Sequence, residues 1–353
     1  MEGTFSYLIR RLLWVPPILL VVSFSTFAIA RFGPGDPIRI AGGQFRDEEA
    51  FERARVAYGL DKPLFEQYVI YVENVLTKGD FGESFRYQGR SVREIIMPAI
   101  WRSLQYNSVA LVITLSFGIP LGIFAARRQG TWADPASISS FLLIQSIPAI
   151  VAVPFLLLFL AVRLPDLNLP DFFLFNPLES FLHSLALPAS GWPRDCNVRL
   201  PLVGESYECL GVVSKEAIIP IIALSLPGIA VWGRYTRAFT LGVLREDYVR
   251  TARSKGISER QVMTQHVLRN ALLPLSTIVA FAMVGLLEGS FFIETLTGVP
   301  GVGRLTFEAV LGRDYDMIMA VALIGATTII MANIIIDIMY TFIDPRIRYG
   351  SRN

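Results

Sequence analysis

Residues 245–274 read REDYVRTARSKGISERQVMTQHVLRNALLP. This polar, basic stretch lies between two long apolar ones, AIIPIIALSLPGIAVWG at 217–233 and LSTIVAFAMVGLLEGSFFI at 275–293. Apolar runs of about 20 residues have the length needed to cross a hydrocarbon core. A charged, helix-prone loop joining two of them is a surface presented on one side of a membrane.

The composition agrees. Of 353 residues, 53% are hydrophobic and 18% charged, against about 25% charged in soluble domains. Mean hydropathy is +0.49. The pattern predicts an all-α integral membrane protein with six transmembrane helices, over 9–30, 103–126, 138–162, 217–239, 273–295 and 317–343. Prolines inside them, such as Pro148 and Pro227, are tolerated because neighbouring helices re-satisfy the freed backbone groups. Gly118 and Gly122 form a small-xxx-small pair suited to close helix packing. The first apolar run exceeds a signal-peptide core, which predicts an uncleaved first span.

Lys and Arg placement sets the orientation. Arg127, Arg128, Arg234, Arg237, Arg245, Arg250, Arg253 and Lys255 fall on one side with few opposing acids, whereas 163–216 is net acidic and 31–102 is balanced. The basic face is the cytoplasmic one, so both termini are expected inside the cell membrane. The expected organisation is 1–30, N-terminus and first span; 31–102, an extracytoplasmic cap; 103–343, the transmembrane core, with an outer loop 163–216 and a cytoplasmic loop 241–272; and 344–353, a cytoplasmic tail. Residues 47–58 and 64–77 read as short amphipathic helices, either a cap on the outer mouth or a membrane-surface packing element.

Cys196 and Cys209 are the only cysteines. In an oxidising outer compartment the spacing suggests a disulfide closing a loop of about 14 residues, worth roughly 3 kcal/mol in the chain-entropy model; two unpaired thiols are the alternative. His183 and His266 fall on opposite sides and form no metal or catalytic set. Neither a Ser-His-Asp nor a paired-carboxylate constellation is apparent.

Within the basic loop, one helical run breaks at Gly256. A second, 258–270, has Ser258 as N-cap and Gln261 at N3 of a capping box. Such an elbow would present Arg253, Lys255 and Arg260 to a cytosolic partner. A solvated basic loop that merely obeys the charge rule is the competing reading. Inside the spans, the polar Asn107, Gln145 and Ser146 are candidates for interhelical hydrogen bonds or for lining a polar path through the membrane. Glu288, expected in the outer third of the fifth span, would line a cavity or reach the interface, since a carboxylate facing lipid is costly.

The stretch Tyr248-Val-Arg-Thr-Ala-Arg-Ser-Lys-Gly256 resembles the coupling loop of binding-protein-dependent ABC importer permeases, whose pattern is E-A-A-x-x-x-G. Arg250, Thr251 and Ala252 stand at the three leading positions and Gly256 at the glycine. Departures at the first two are similar to the peptide/nickel branch, with YVRTARAKG followed by RNALLP. Gly59-Leu-Asp-Lys-Pro-Leu64, Gly79-Asp-Phe-Gly-Glu-Ser84, Gly118-Ile-Pro-Leu-Gly122, Glu294, Pro300-Gly-Val-Gly-Arg304, Arg313-Asp-Tyr315 and Asp344-Pro-Arg-Ile-Arg348 look like that branch, in family order along nearly the whole chain. Asp337 also looks like a family position, with a structural role.

The resemblance implies the type I importer permease fold and the first of two permease types in a dipeptide/oligopeptide importer. It implies a homologous second permease, two cytosolic ATP-binding subunits and an extracytoplasmic substrate-binding protein as partners. The coupling residues would be Tyr248, Arg250, Thr251, Ala252, Arg253, Lys255, Gly256, Ser258 and Arg260. Peptide is the expected cargo; nickel chelates, oligosaccharides and glutathione are carried by similar permeases. No cofactor of its own is expected, ATP being bound by partner subunits. Pro300–Leu305 lacks the Walker lysine and a preceding strand, so it reads as a tight turn rather than a phosphate loop. An ion-coupled secondary transporter would show repeat symmetry, and no repeat is visible. An intramembrane hydrolase would need a catalytic constellation. Co-purification with ATPase chains separates the importer from both.

Overall fold

A computed structural model describes residues 2–32, 55–56, 61–87, 89–163, 191–192, 197–199, 206–208, 215–287 and 289–343. The described residues are mostly helical; extended pairing is limited among them to two antiparallel strands, β1 (Asn197–Arg199) and β2 (Ser206–Glu208), in which Asn197 pairs with Glu208, and to an isolated bridge between Glu83 and Ser91. Cys196 and Cys209, the expected cap helix 47–58 apart from residues 55 and 56, and most of 163–216 lie outside the described residues.

The helices, in order, are α1 (Glu2–Phe32), α2 (Leu64–Lys78), α3 (Val92–Arg127), α4 (Ala133–Ser146), α5 (Ala149–Leu157, continued by a π-helical turn Leu158–Arg163), α6 (Ile218–Leu244), α7 (Asp247–Ser254), α8 (Glu259–Gln261, continued by a π-helical segment Val262–Leu268), α9 (Arg269–Val284), α10 (Phe291–Thr297), α11 (Val302–Gly312) and α12 (Tyr315–Ile343). Among the described residues four helices are long and apolar enough to cross a membrane: Ile9–Ile29, Val92–Arg127, Lys215–Leu244 and Tyr315–Ile335. A fifth is added if the bent pair Ala133–Ser146 and Ala149–Val162 counts as one span.

The differences from the sequence reading have local causes. The third expected span bends by 90°. Ile147 is extended at φ −85°, ψ 112°, because the ring of Pro148 crowds the residue before it out of the helical region. The fifth expected span, 273–295, is not continuous: α9 stops at Val284 and α10 resumes at Phe291. In the other direction, the expected boundary between the loop helix 258–270 and that span is absent, since helical backbone runs unbroken from Glu259 to Val284. The second span starts earlier than expected. Its 36 residues make a helix about 54 Å long, well beyond a hydrocarbon core of about 30 Å. The end of the expected cap is therefore the beginning of α3. Helix α2 matches the expected 64–77 segment; it is stopped by Gly79 in the left-handed conformation, whose N–H donates to the carbonyl of Val75.

The chain forms two compact units. The first holds Met1–Ser103, Leu287–Phe291 and Pro300–Asn353. Its core is Val92, Ile96, Ala99, Val302, Leu305, Ala309, Met317 and Ala320. Within it α1 and α12 run antiparallel, and Arg11 near the start of α1 forms an ion pair with Asp337 near the end of α12. Two stretches singled out in the sequence meet here: the buried carboxylate of Asp314 accepts hydrogen bonds from the Ser84 hydroxyl and, at 3.2 Å, the Phe85 N–H. Pro300–Leu305 is a helix start rather than a phosphate loop. The Val302 N–H donates to the Ser103 hydroxyl at 2.9 Å, and a Cβ on Gly303 would sit 2.6 Å from the Phe291 nitrogen.

The second unit holds Leu104–Leu286 and Phe292–Val299. Here the Gly118/Gly122 pair acts as expected. A Cβ on Gly122 would lie 2.5 Å from the carbonyl oxygen of Gly233, so α3 and α6 touch backbone to backbone only because neither position carries a side chain. Val153, Ala223 and Ile293 form one packed cluster. Tyr106, Ala110, Trp192, Ala217, Ile221 and Val299 form another.

Candidate functional site

The polar stretch that joins α6 to α9 folds into an elbow within the second unit. Helix α7 begins after Glu246, which is extended at φ −69°, ψ 145°, and ends at Ser254. The turn is made at Gly256, with φ +75°; no atom lies within 4 Å of where its Cβ would be. The constraint on this position is thus backbone conformation and not space. The second arm starts with the expected cap. The Ser258 hydroxyl accepts from the Gln261 N–H at 3.4 Å and donates to its Oε1 at 2.9 Å, so the glutamine binds the capping hydroxyl rather than reaching back to the backbone as in a standard capping box.

The underside of the elbow is apolar. Val249, Ala252, Val262, Met263 and Val267 are buried together, with Ile123, Val243, Leu244 and Ile257 packed against them. One turn of α7 therefore points its small residues down and its polar ones out. Tyr248, Arg250, Thr251, Arg253, Lys255, Ser258 and Arg260 are all exposed. Ala252, predicted with the coupling residues, faces the core of the elbow instead of a partner. Sequence pattern alone groups it with its neighbours, whereas the helical period of 3.6 separates it from Arg250 and Arg253.

The two arms are clamped. Arg253 donates from Nε to Glu259 Oε2 at 3.1 Å and from Nη2 to Oε1 at 2.8 Å. The hydrogen bonds from Arg253 hold the Glu259 carboxyl below its ordinary pKa, and the same contact raises that of Arg253. Arg253 is thus committed to the fold of the elbow. Arg250, Lys255 and Arg260 carry the outward positive charge, and among the described residues Arg250 pairs with Asp247, at 3.4 Å.

A second clamp, hidden in the sequence, ties α6 to α4. Arg237 on α6 donates to both oxygens of Asp134 at the start of α4, at 2.7 and 2.9 Å. The signal was there in principle, an acid and a base each near the end of an apolar run. Their separation of 103 positions hides the pairing. Tyr106 and Glu294 form a further buried pair, the phenol donating to Oε1 at 2.6 Å.

Three of the four predicted path residues are among the described residues. Asn107 is buried, and its amide donates to the carbonyl of Leu286 at 2.9 Å, just beyond the end of α9. Gln145 and Ser146 are exposed at the bend after α4, where the Ser146 hydroxyl donates to Leu143 O at 2.8 Å. Glu288 lies outside the described residues. Among the described residues no group of three or more His, Cys, Asp or Glu side chains is placed to hold a metal ion.

Residues 118–349 match the family described as binding-protein-dependent transport system inner membrane component, and residues 4–95 match the N-terminal region described for the same systems. Over 348 residues the chain is 34% identical to the glutathione transport system permease protein GsiC of Shigella flexneri, covering 98% of this chain and 99% of that one. It is 32% identical over 344 residues to the oligopeptide transport system permease protein OppB of Haemophilus influenzae, covering 98% and 99%. It is 31% identical over 350 residues to the dipeptide transport system permease protein DppB of Alkalihalophilus pseudofirmus, again covering 98% and 99%.

Proposed function

The chain belongs to the family of binding-protein-dependent transport system inner membrane components, and from that premise we propose that it is the permease subunit of an ATP-driven importer whose cargo is peptides. It is a multi-pass membrane protein and a transport subunit. A cargo of short peptides fits the oligopeptide and dipeptide systems it resembles; glutathione, itself a tripeptide, fits equally well with another.

The observation that carries the reading is the elbow. Two short helical arms are fixed by a buried apolar underside and a bidentate Arg253–Glu259 clamp, and they hold Tyr248, Arg250, Lys255 and Arg260 outward. A loop that only obeyed the charge rule would need none of that rigidity. A rigid exposed element can transmit a displacement. Closure of two cytosolic ATP-binding subunits would push it, and α6 and α9, which flank it in the chain, would tilt with it. The cavity then alternates between the two faces of the membrane.

In this reading the bent α4–α5 pair and α9 complete six spans, both termini are cytoplasmic, and the chain between α1 and α3 connects them on the outer side. A second permease completes the pore, and an extracytoplasmic binding protein delivers the cargo. The test is isolation of the intact assembly from membranes. Two ATP-binding chains should accompany this one, and the external protein should retain a peptide. Isolation without any ATP-binding chain would leave the proposal without its engine.

A further inference from the structure

Two adjoining cavities of the first unit have no part in the reading above. One is an apolar groove of about 490 Å³ between α1, α2 and α12, lined among others by Val15, Leu19, Leu20, Ser23, Leu323 and Thr327. The other is a polar pocket of about 580 Å³, lined among others by Arg31, Lys62, Asp80, Glu83 and Asp316. Tyr71 lines both.

Their order along the helices is informative. On α1 the groove takes Val15 to Ser23 and the pocket takes Phe27 and Arg31; on α12 the pocket takes Asp316 and Met319 and the groove takes Leu323 to Thr328. Both helices contain membrane-spanning stretches, Ile9–Ile29 and Tyr315–Ile335. The groove therefore lies at hydrocarbon depth and the pocket where the hydrocarbon ends. That sequence, apolar slot then a polar chamber with charges of both signs, has the polarity profile of a phospholipid.

The charges favour one headgroup class. Arg31, over the Phe27 ring at 5.5 Å, suits a phosphate, whereas Lys62 is paired with Glu66 at 3.2 Å. Asp80 and Glu83 line the same pocket and suit an ammonium. At the junction, the Tyr71 hydroxyl is buried with no hydrogen-bond partner. Burial raises its pKa far above the ordinary phenol value, so it stays protonated and able to donate. An unpaired buried hydroxyl is costly, and it sits where the ester and phosphate oxygens of a lipid would lie.

We propose that these cavities are one site for an amine-bearing phospholipid, with an acyl chain between α1, α2 and α12, an ester or phosphate oxygen on the Tyr71 hydroxyl, and the headgroup among Arg31, Asp80 and Glu83. The site needs only that the chain spans a membrane, and stands apart from the cargo assignment.

The test places the whole importer in nanodiscs of equal phosphatidylethanolamine and phosphatidylglycerol and reads the lipid retained on this chain by native mass spectrometry. The expected result is retained phosphatidylethanolamine, enriched over its share of the disc. Tyr71→Phe keeps the ring and should lower retention roughly two- to tenfold, the value of one hydrogen bond. Asp80→Asn with Glu83→Gln should erase the headgroup preference while leaving lipid bound. A phosphatidylethanolamine carrying a diazirine in its acyl chain should label 15–23 and 323–328 in the wild-type assembly, with no variant involved. No retained lipid, retention without headgroup preference, or labelling no stronger there than at the exposed Phe117 of α3 would overturn the proposal. So would a cross-link showing the groove covered by a second protein chain.

Discussion

Arg253 and Glu259 face each other across Gly256 and close the elbow with two hydrogen bonds, 3.1 and 2.8 Å long. The pair is exposed, so its worth to folding is small, on the order of 0.2–1 kcal/mol. Its effect is on shape: it fixes the angle between two short arms that could not hold a direction by themselves.

Removing one partner should therefore uncouple transport before it unfolds the protein. Arg253→Gln and Glu259→Gln are each expected to lower binding-protein-stimulated ATPase activity and uptake severalfold, with unchanged membrane insertion and melting temperature. The exchange Arg253→Glu with Glu259→Arg should recover part of the loss. A double exchange no better than the worse single variant would show that the two side chains act separately.

The same pair sets a pH dependence. Glu259 has a folded pKa below its unfolded value, so its contribution is present above the unfolded carboxylate pKa, about 4.3, and is lost as pH falls through the depressed folded value. Protection of the 253–259 segment against hydrogen exchange, corrected for the intrinsic rate, should hold from neutral pH to about 5 and fall below the carboxylate range. In Glu259→Gln that acid-induced drop should be absent.

Gly256 offers a cleaner separation of cause. Space is open around it and only the positive φ is demanding. Gly256→Asn should keep most uptake, because asparagine tolerates the left-handed region. Gly256→Val should abolish uptake with normal insertion, since a β-branched residue resists that conformation. If valine and asparagine variants transport equally, the turn is not the constraint.

Ser84 and Asp314 are expected to behave as a structural lock. Asp314 also caps α12, its Oδ1 lying 3.5 Å from the Met317 nitrogen. Asp314→Ala removes a cap and strands the Ser84 hydroxyl, a loss of about 1–3 kcal/mol. Thermal unfolding in detergent should shift down for it more than for Ser84→Ala. Equal melting of wild type and Asp314→Ala would remove the lock.

The antiparallel pairing of β1 and β2 supports a prediction about the cysteines. The paired residues Asn197 and Glu208 directly adjoin Cys196 and Cys209 in sequence. A non-reduced digest should yield one cross-linked peptide pair. Both thiols free in protein prepared without reductant would be the opposite result.

What could be read in advance follows from the range of each interaction. Spans and the elbow are written in local pattern: apolar length, the break at Gly256, the Ser258 cap. The bend at Ile147–Pro148 was marked by its proline, but its 90° angle depends on what packs on either side. The interruption after Val284 falls where Gly285, Glu288, Gly289 and Ser290 break an otherwise apolar run, a local marker that the length of the run outweighs. Ser84–Asp314, Asp134–Arg237 and Tyr106–Glu294 join positions more than 100 apart, and nothing in either member's neighbourhood names the other. The orientation of Ala252 was legible from helical period and was masked by reading the loop as a motif.

The central claim is that the outer face of the elbow docks an ATP-binding subunit. The most direct measurement is site-specific photo-cross-linking in native membranes containing the whole importer, with the reactive residue at 255, at 260 or at 252. The account predicts an ATP-binding chain captured from Lys255 and Arg260, with the yield changing when ATP is trapped, and nothing from the buried Ala252. Capture from 252 alone, or no ATP-binding chain from 255 and 260 in an assembly that still imports, would contradict it.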